Sequence, residues 1–250
     1  MKIPFVNNCI SNLPFRAIEA LFYIEKHELK QYTMGFLLKE HRMKNAAHLF
    51  PYAVTEKAYS YSDYMELMEK VVLENRTTGL KQSEDLNHYT RLNLSRMQRL
   101  NKKVTVNEDL KKTIDRFQFP QTWFILTEAW CGDAAQNIPS IVALASLNPQ
   151  ITVKLLLRDE NPEIMDAYLT NGGRSIPKLI AVDENFNELF TWGPRPSGAQ
   201  EMLKAYQANP VKPYMEFAED IQRWYISDKT ESIQKELKEL LEGVLIENKF

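Results

Sequence analysis

The apolar positions of this chain follow two different rhythms, and the change between them divides it. From Ser62 to Asn75, the residues Tyr64, Met65, Met68, Val71 and Val72 recur at steps of three and four. With Ser62 as N-cap and Gly79 beyond the end, this spacing predicts an amphipathic helix. A second helix is predicted from about Ser83 to Leu100, with Leu86, Tyr89, Asn93, Met97 and Leu100 on one stripe. At helical spacing the Met and aromatic content of these stripes is read as core packing rather than as a ligand face. The rhythm then shortens. Val104-Thr105-Val106 reads as a strand, and Asn107 caps a helix carrying Leu110, Ile114 and Phe117 that ends before Pro120. Trp123 to Ala129 is a short apolar run, as expected of a strand buried on both faces, and Ala134 to Leu147 sets Ile138, Ile141, Val142 and Ala145 at helical spacing.

The alternation continues to the last third of the chain. Ile151 to Leu157 is a strand run, Asn161 and Pro162 open a helix through Tyr168, and Gly172-Gly173 stop it. Lys178 to Val182 and Leu189 to Trp192 form a hairpin around a turn at Asp183 to Asn187, and Ser197 opens a helix carrying Met202, Leu203 and Tyr206. The order β-α-β-α-β-α-β-β-α predicts an α/β domain with a mixed sheet between helices. The expected organisation is a poorly patterned, loosely helical segment over 1–50, a helical extension over 51–102, the α/β domain over 103–209 and a C-terminal helical extension over 210–250. In that extension Phe217, Ile221, Trp224 and Tyr225 mark one helix, and Ile233, Leu237, Leu240, Leu241 and Val244 mark a longer one. The alternating acids and bases of Lys229 to Lys249 read as a solvated face.

Composition narrows the function classes. Hydrophobic residues make up 44 % of the 250 and charged residues 26 %, enough to build a packed core. A net charge of −2, with no basic patch interleaved with aromatics, argues against nucleic acid as a partner. Polar residues and prolines interrupt Met1 to Ile24, so no signal peptide is expected there, and no apolar run has the length of a membrane span. Two cysteines, Cys9 and Cys131, are too few for a disulfide framework and suit a reducing, cytoplasmic setting. The four histidines, His27, His41, His48 and His88, have no metal-ligand spacing, so no metal or other cofactor is expected. No Ser/His/Asp set or glycine-rich phosphate loop is present.

One stretch carries candidate chemistry. Trp130-Cys131-Gly132-Asp133-Ala134 places a thiol where a strand hands over to a helix. There, unpaired backbone N–H groups and the positive end of the macrodipole favour thiolate over thiol. Asp133 opposes that effect, and Lys178, Arg174 and Arg195 are the cations available to offset it.

From Val104 to Asn209 the chain resembles the thioredoxin superfamily. The resemblance rests on Trp130-Cys131-Gly132 at the helix entry and on Pro139, eight residues after the cysteine, where the family helix is kinked. It rests also on Asp159-Glu160-Asn161-Pro162 after the central strand, on Arg174-Ser175-Ile176-Pro177 where the family has a cis-proline, and on Trp192-Gly193 in the last strand. The stretch Trp130 to Arg195 looks like a branch of bacterial thioredoxin-like proteins with helical extensions. The resemblance implies a thioredoxin-like fold, with Cys131 as the catalytic thiol. Trp130, Gly132, Asp133, Ala134, Ile176 and Pro177 would line the site, the Ile176 backbone being exposed to pair with a substrate strand.

The chain departs from that family at two points. Ala134 stands where thioredoxins carry the resolving cysteine, so no second thiol can attack a mixed disulfide from this motif. Ile125 stands six residues before Cys131, where thioredoxins keep a buried carboxylate. The expectation is a protein with a single active thiol that exchanges with a protein or low-molecular-weight thiol or disulfide, resolved from outside. The competing expectation is a redox-inactive binding module, with Trp130 and Trp192 lining a ligand face.

Overall fold

The computed structural model describes residues 44–247. The helical character expected of the chain before that, and Cys9 as a second thiol, lie outside the described residues. Strands β1 (Gln121–Thr127), β2 (Ile151–Leu157), β3 (Lys178–Asp183) and β4 (Glu188–Trp192) form one sheet in the order β2-β1-β3-β4. β1 runs parallel to β2 and antiparallel to β3, and β3 and β4 form the hairpin. Nine α-helices are present among the described residues. Four precede the sheet: α1 (Tyr52–Thr55), α2 (Tyr61–Leu73), α3 (Glu84–Lys103) and α4 (Glu108–Ile114). α5 (Gly132–Ala145) and α6 (Pro162–Ala167) lie between strands, and α7 (Ser197–Ala208), α8 (Tyr214–Asp228) and α9 (Glu231–Glu247) follow them.

The core forms because β1 is apolar on both faces. Neighbouring residues of a strand point to opposite sides, and each side of β1 offers an aromatic ring. Phe50 stacks on Phe124 at 4.1 Å, while Phe190 meets Trp123 edge-on at 5.6 Å. Each such side chain removes 150–250 Å² or so from water, which makes this pair of layers the main apolar contribution. Ile138, Ile141 and Leu144 of α5 join the same core, as do Tyr64 and Met68 of α2, Met97 of α3 and Leu237 and Leu241 of α9. A smaller core stands apart from it, made by Ala199 of α7 with Phe217, Ile221 and Tyr225 of α8.

Both outer strands are partnered by the segment before α2. Tyr59 and Leu155 of β2 exchange N–H···O=C bonds of 2.9 and 2.8 Å. At the hairpin, Ala46 donates to the Phe186 carbonyl at 2.8 Å and Glu188 donates to that of Lys44 at 3.0 Å.

Three local expectations are corrected. Val104-Thr105-Val106 joins no sheet. Its polar backbone is met instead by one side chain of α9: Gln234 Nε2 donates to the Thr105 carbonyl at 3.1 Å, and Gln234 Oε1 accepts from the Asn107 N–H at 2.8 Å. The cap of α2 is Ser60 rather than Ser62, because Asp63 stands three residues on and closes a reciprocal capping box with it. Asn161 stands at the N-cap of α6 ahead of Pro162 as expected, but its side chain makes no cap bond, its amide donating instead to the Leu157 carbonyl at 2.8 Å. Ser83 and Asn107 do cap α3 and α4, each accepting a backbone N–H three residues on.

Candidate functional site

β1 ends at Thr127, and Cys131 becomes the N-cap of α5 after a short turn in which its N–H donates to the Glu128 carbonyl at 3.0 Å. The sulfur takes the place of an N-cap oxygen, accepting from the Ala134 N–H at 3.5 Å. Ile176-Pro177 is a cis peptide, and the Cys131 Sγ donates to the Ile176 carbonyl at 3.3 Å. Gly193 permits the strand after this loop to come close. Its φ is +117°, and a Cβ there would lie 2.2 Å from the Pro177 carbonyl oxygen, a separation no side chain tolerates. The turn after β1, the Ile176-Pro177 loop and the end of β4 are thus brought together around one sulfur.

That sulfur is enclosed. Cys131 is 8 % exposed, Ile176 and Pro177 are buried, and Ala134 is buried behind them. One wall is α3, where the fully buried Asn93 donates to the Ala129 carbonyl at 2.9 Å and accepts from Arg96 at 2.8 Å. The roof is α8. Gln222 accepts from Gln136 at 2.8 Å, its amide nitrogen would lie 3.1 Å from a Cβ on Gly132, and Tyr225 donates to Asp133 at 2.8 Å. The Ile176 carbonyl, expected to pair with a substrate strand, is occupied by the thiol itself.

Electrostatics reverses the expectation of a thiolate. Burial pushes the Cys131 thiol up to about 12, and Asp133 adds to the rise. The backbone N–H groups of Ala134 and Asp133, and the Arg195 guanidinium, pull the other way and are outweighed. A helix N-terminus contributes about half a charge, worth up to about 2 kcal/mol in partly buried geometry. Removing a charged group from water costs several, so burial decides. At neutral pH Cys131 is a protonated hydrogen-bond donor.

Of the three cations available to Asp133, the structure uses one. Arg195 is ion-paired with it, its Nε 3.0 Å from Oδ2, and both side chains are largely buried. Arg174 pairs instead with Asp166 at the surface, Nε to Oδ1 2.7 Å. Lys178 is buried, with its Nζ 3.5 Å from the Thr170 hydroxyl, and burial lowers its pKa. The two tryptophans have different partners. Trp130 is half-buried under the Arg158 guanidinium, 4.8 Å away, and the Trp192 indole donates to Glu236 of α9 at 2.7 Å.

One buried acid escaped the sequence argument. Glu128, fully buried at the end of β1, has its oxygens engaged by the Thr78 hydroxyl and by the Asp159 N–H at 2.9 Å. Burial raises its pKa. Thr78 in turn accepts from the Ala129 N–H at 2.8 Å. The signal was a glutamate closing an otherwise apolar run. Its carboxyl group fastens the Thr78 loop and the turn after β2 to the end of β1. Among the described residues no helix is long and apolar enough to cross a membrane.

Comparison with known proteins agrees with this architecture. A family model described as thioredoxin matches residues 79–208, from just before α3 to the end of α7. No curated protein matches the chain. Among solved structures, a protein of unknown function from Pseudomonas aeruginosa is similar at 17 % identity and a TM-score of 0.49, covering 74 % of this chain and 98 % of its own. An HIV epitope-scaffold is similar at 17 % identity and 0.48, covering 74 % and 99 %. An N-terminal domain of alkylhydroperoxide reductase AhpF from Enterococcus faecalis is similar at 18 % identity and 0.31, covering 38 % and 45 %. With more than half of its length matched by the family model, and with its mixed sheet and flanking helices, the chain belongs to the thioredoxin family.

Proposed function

We propose that the protein is a thioredoxin-fold binding module of a reducing, cytoplasmic compartment, in which Cys131 is a structural thiol in the conformation described. The observation that carries this is the sulfur itself, enclosed and donating to the Ile176 carbonyl, in surroundings whose burial raises its pKa. Ala134 supports the same reading, because an alanine at the resolving position cannot complete an intramolecular exchange. The test is iodoacetamide labelling at pH 7.5, followed at the Cys131 peptide by mass spectrometry. Native protein should label at least about a hundredfold more slowly than protein in denaturant, since both access and the thiolate fraction are reduced. Labelling as fast as a free cysteine would remove the proposal. A Cys131→Ser variant should keep the binding of any partner that the wild type holds.

A second reading rests on a separate observation: α8 roofs the thiol through polar side-chain contacts while its apolar face packs on α7. In this reading Cys131 is a single active thiol that works once α8 lifts. Its thiolate attacks a disulfide sulfur of a protein or low-molecular-weight partner, a mixed disulfide forms, the partner's other sulfur leaves as thiolate, and an external thiol resolves the adduct. Intact mass after incubation with glutathione disulfide tests it: a Gln222→Ala, Tyr225→Phe double variant should form an adduct at Cys131 that the wild type forms slowly. No adduct in either protein would rule it out.

A further inference from the structure

Away from the sulfur, a cavity of about 420 Å³ lies between the C-terminal end of α3, one flank of α5 and the elbow joining α8 to α9. That volume is in the range of small-molecule sites. The elbow is shaped by two consecutive residues with left-handed backbones, Lys229 at φ 51° and Thr230 at φ 69°, which turn α9 back against α4 and α5 and leave the space at the end of α3.

The lining is chemically divided. Arg99, Lys103 and Lys229 stand around the cavity with exposed side chains, and none of the three has an acidic partner among the described residues. The acid of the lining is Asp228, and its carboxylate is turned to the first turn of α9, accepting from the Ser232 N–H at 3.3 Å and from the Ser232 hydroxyl. Leu100, Val104, Ile226 and Ile233 supply an aliphatic wall. Part of the positive charge compensates helix ends: α3 and α8 present carboxyl termini here, each equivalent to about −0.5 charge, and α9 presents an amino terminus of about +0.5. Counting Asp228 as well, roughly one to two positive charges remain uncompensated beside an apolar surface. In a chain whose overall charge is −2, that local excess runs against the average.

We propose that this cavity binds a small amphiphilic monoanion, a carboxylate carried on a short unbranched apolar chain. Its head group sits among Arg99, Lys103 and Lys229, and its tail lies along Leu100, Val104, Ile226 and Ile233. The cations select the head by charge, and the aliphatic wall distinguishes the ligand from inorganic anions, which have no apolar part to bury. The cavity shares Gln136 and Tyr225 with the roof over Cys131 but does not include the sulfur, and the assignment does not depend on whether that thiol reacts.

Isothermal titration of the full chain with octanoate tests the assignment, with octanamide as the neutral isostere and acetate as the head group alone. Octanoate should bind with one-to-one saturation, and octanamide and acetate should each bind at least about tenfold more weakly. A Lys103→Glu, Lys229→Glu variant changes only exposed side chains and should lose octanoate binding by a similar factor or more. Ile226→Asp, also at an exposed position, serves as a second variant with the same expected loss. Absence of saturable binding, equal affinity for octanamide, or unchanged binding in both variants would overturn the proposal.

Discussion

Cys131 has a floor and a roof, and they are built differently. The floor is backbone against backbone: the Ile176-Pro177 loop, the thiol donating into it, and Gly193 pressed against the Pro177 carbonyl. Beside it α3 belongs to the main core through Met97, with Asn93 bonded to the Ala129 carbonyl. The roof is α8, whose apolar side chains make a separate small core with α7 and which meets the site through Gln222 and Tyr225. Apolar burial is lost when a helix lifts into water, whereas amide and hydroxyl groups exchange one hydrogen-bond partner for another at a net cost of about 1 kcal/mol each. The floor should therefore move only with the whole fold, and the roof can move alone. The family match ends before α8 begins, so the roof is also the part of this site outside the matched domain.

The sharpest test of the floor is Gly193→Ala. A methyl group would meet the Pro177 carbonyl at a backbone angle that side chains rarely adopt, and the expected loss is about 3 kcal/mol or more in urea unfolding. A loss below about 1 kcal/mol would mean that the loop can yield. Next is Met97→Ala, where removing a side chain 1 % exposed should cost about 2–5 kcal/mol of global stability. Ile221→Ala is its counterpart in the roof. Here the global midpoint should shift by less, about 1 kcal/mol, while Cys131 labelling accelerates about tenfold, as expected of local opening. Equal losses of global stability in Met97→Ala and Ile221→Ala, with labelling unchanged, would erase the distinction between the two walls. Tyr225→Phe removes the hydroxyl that donates to Asp133 and accepts from Asn137; it should cost about 1 kcal/mol and raise labelling a few-fold.

The smallest effect is one of pH. Because the folded thiol is raised to about 12 from a reference of 9.0, the native state holds its proton longer than the unfolded chain does. The stability from keeping Cys131 protonated is complete below about pH 9 and is lost progressively as pH rises toward 12. The buried Tyr64 and Tyr225 are raised as well, so the thiol's share must be taken as a difference. Between pH 8 and 10.5 the wild type should lose more stability than Cys131→Ala. Parallel curves would show that the thiol is not held in its neutral form.

What is legible in the sequence depends on where each cause lies along the chain. The strand at Ile151 to Leu157 and the cap at Asn107 were legible because their reasons are local: a run of apolar residues, and a side chain three residues from the N–H it accepts. Val104 to Val106 has the composition of a strand, but a strand needs a neighbour, and Gln234 of a much later helix bonds the backbone there. The same distance effect governs the sulfur. The helix-end argument for a thiolate considers only α5, whereas Cys131 is enclosed by α3 before it and α8 after it. The cap of α2 followed the same local logic: Asp63 stands three residues after Ser60 and closes the box there, whereas three residues after Ser62 stands Met65. Glu128, hidden inside an apolar run, had its partner Thr78 fifty residues upstream.

The exchange between Tyr59 and Leu155 also bears on how copies of this molecule behave toward each other. An open sheet margin is a template on which a foreign strand can polymerise. Here the middle of the β2 margin has its donor and acceptor already spent on Tyr59, and the hairpin margin is blocked in the same way by Lys44 and Ala46. A stray β-segment seeking to lengthen this sheet would find those hydrogen-bonding groups taken, so protection against fibril-like stacking is written into the short stretch that leads into the domain.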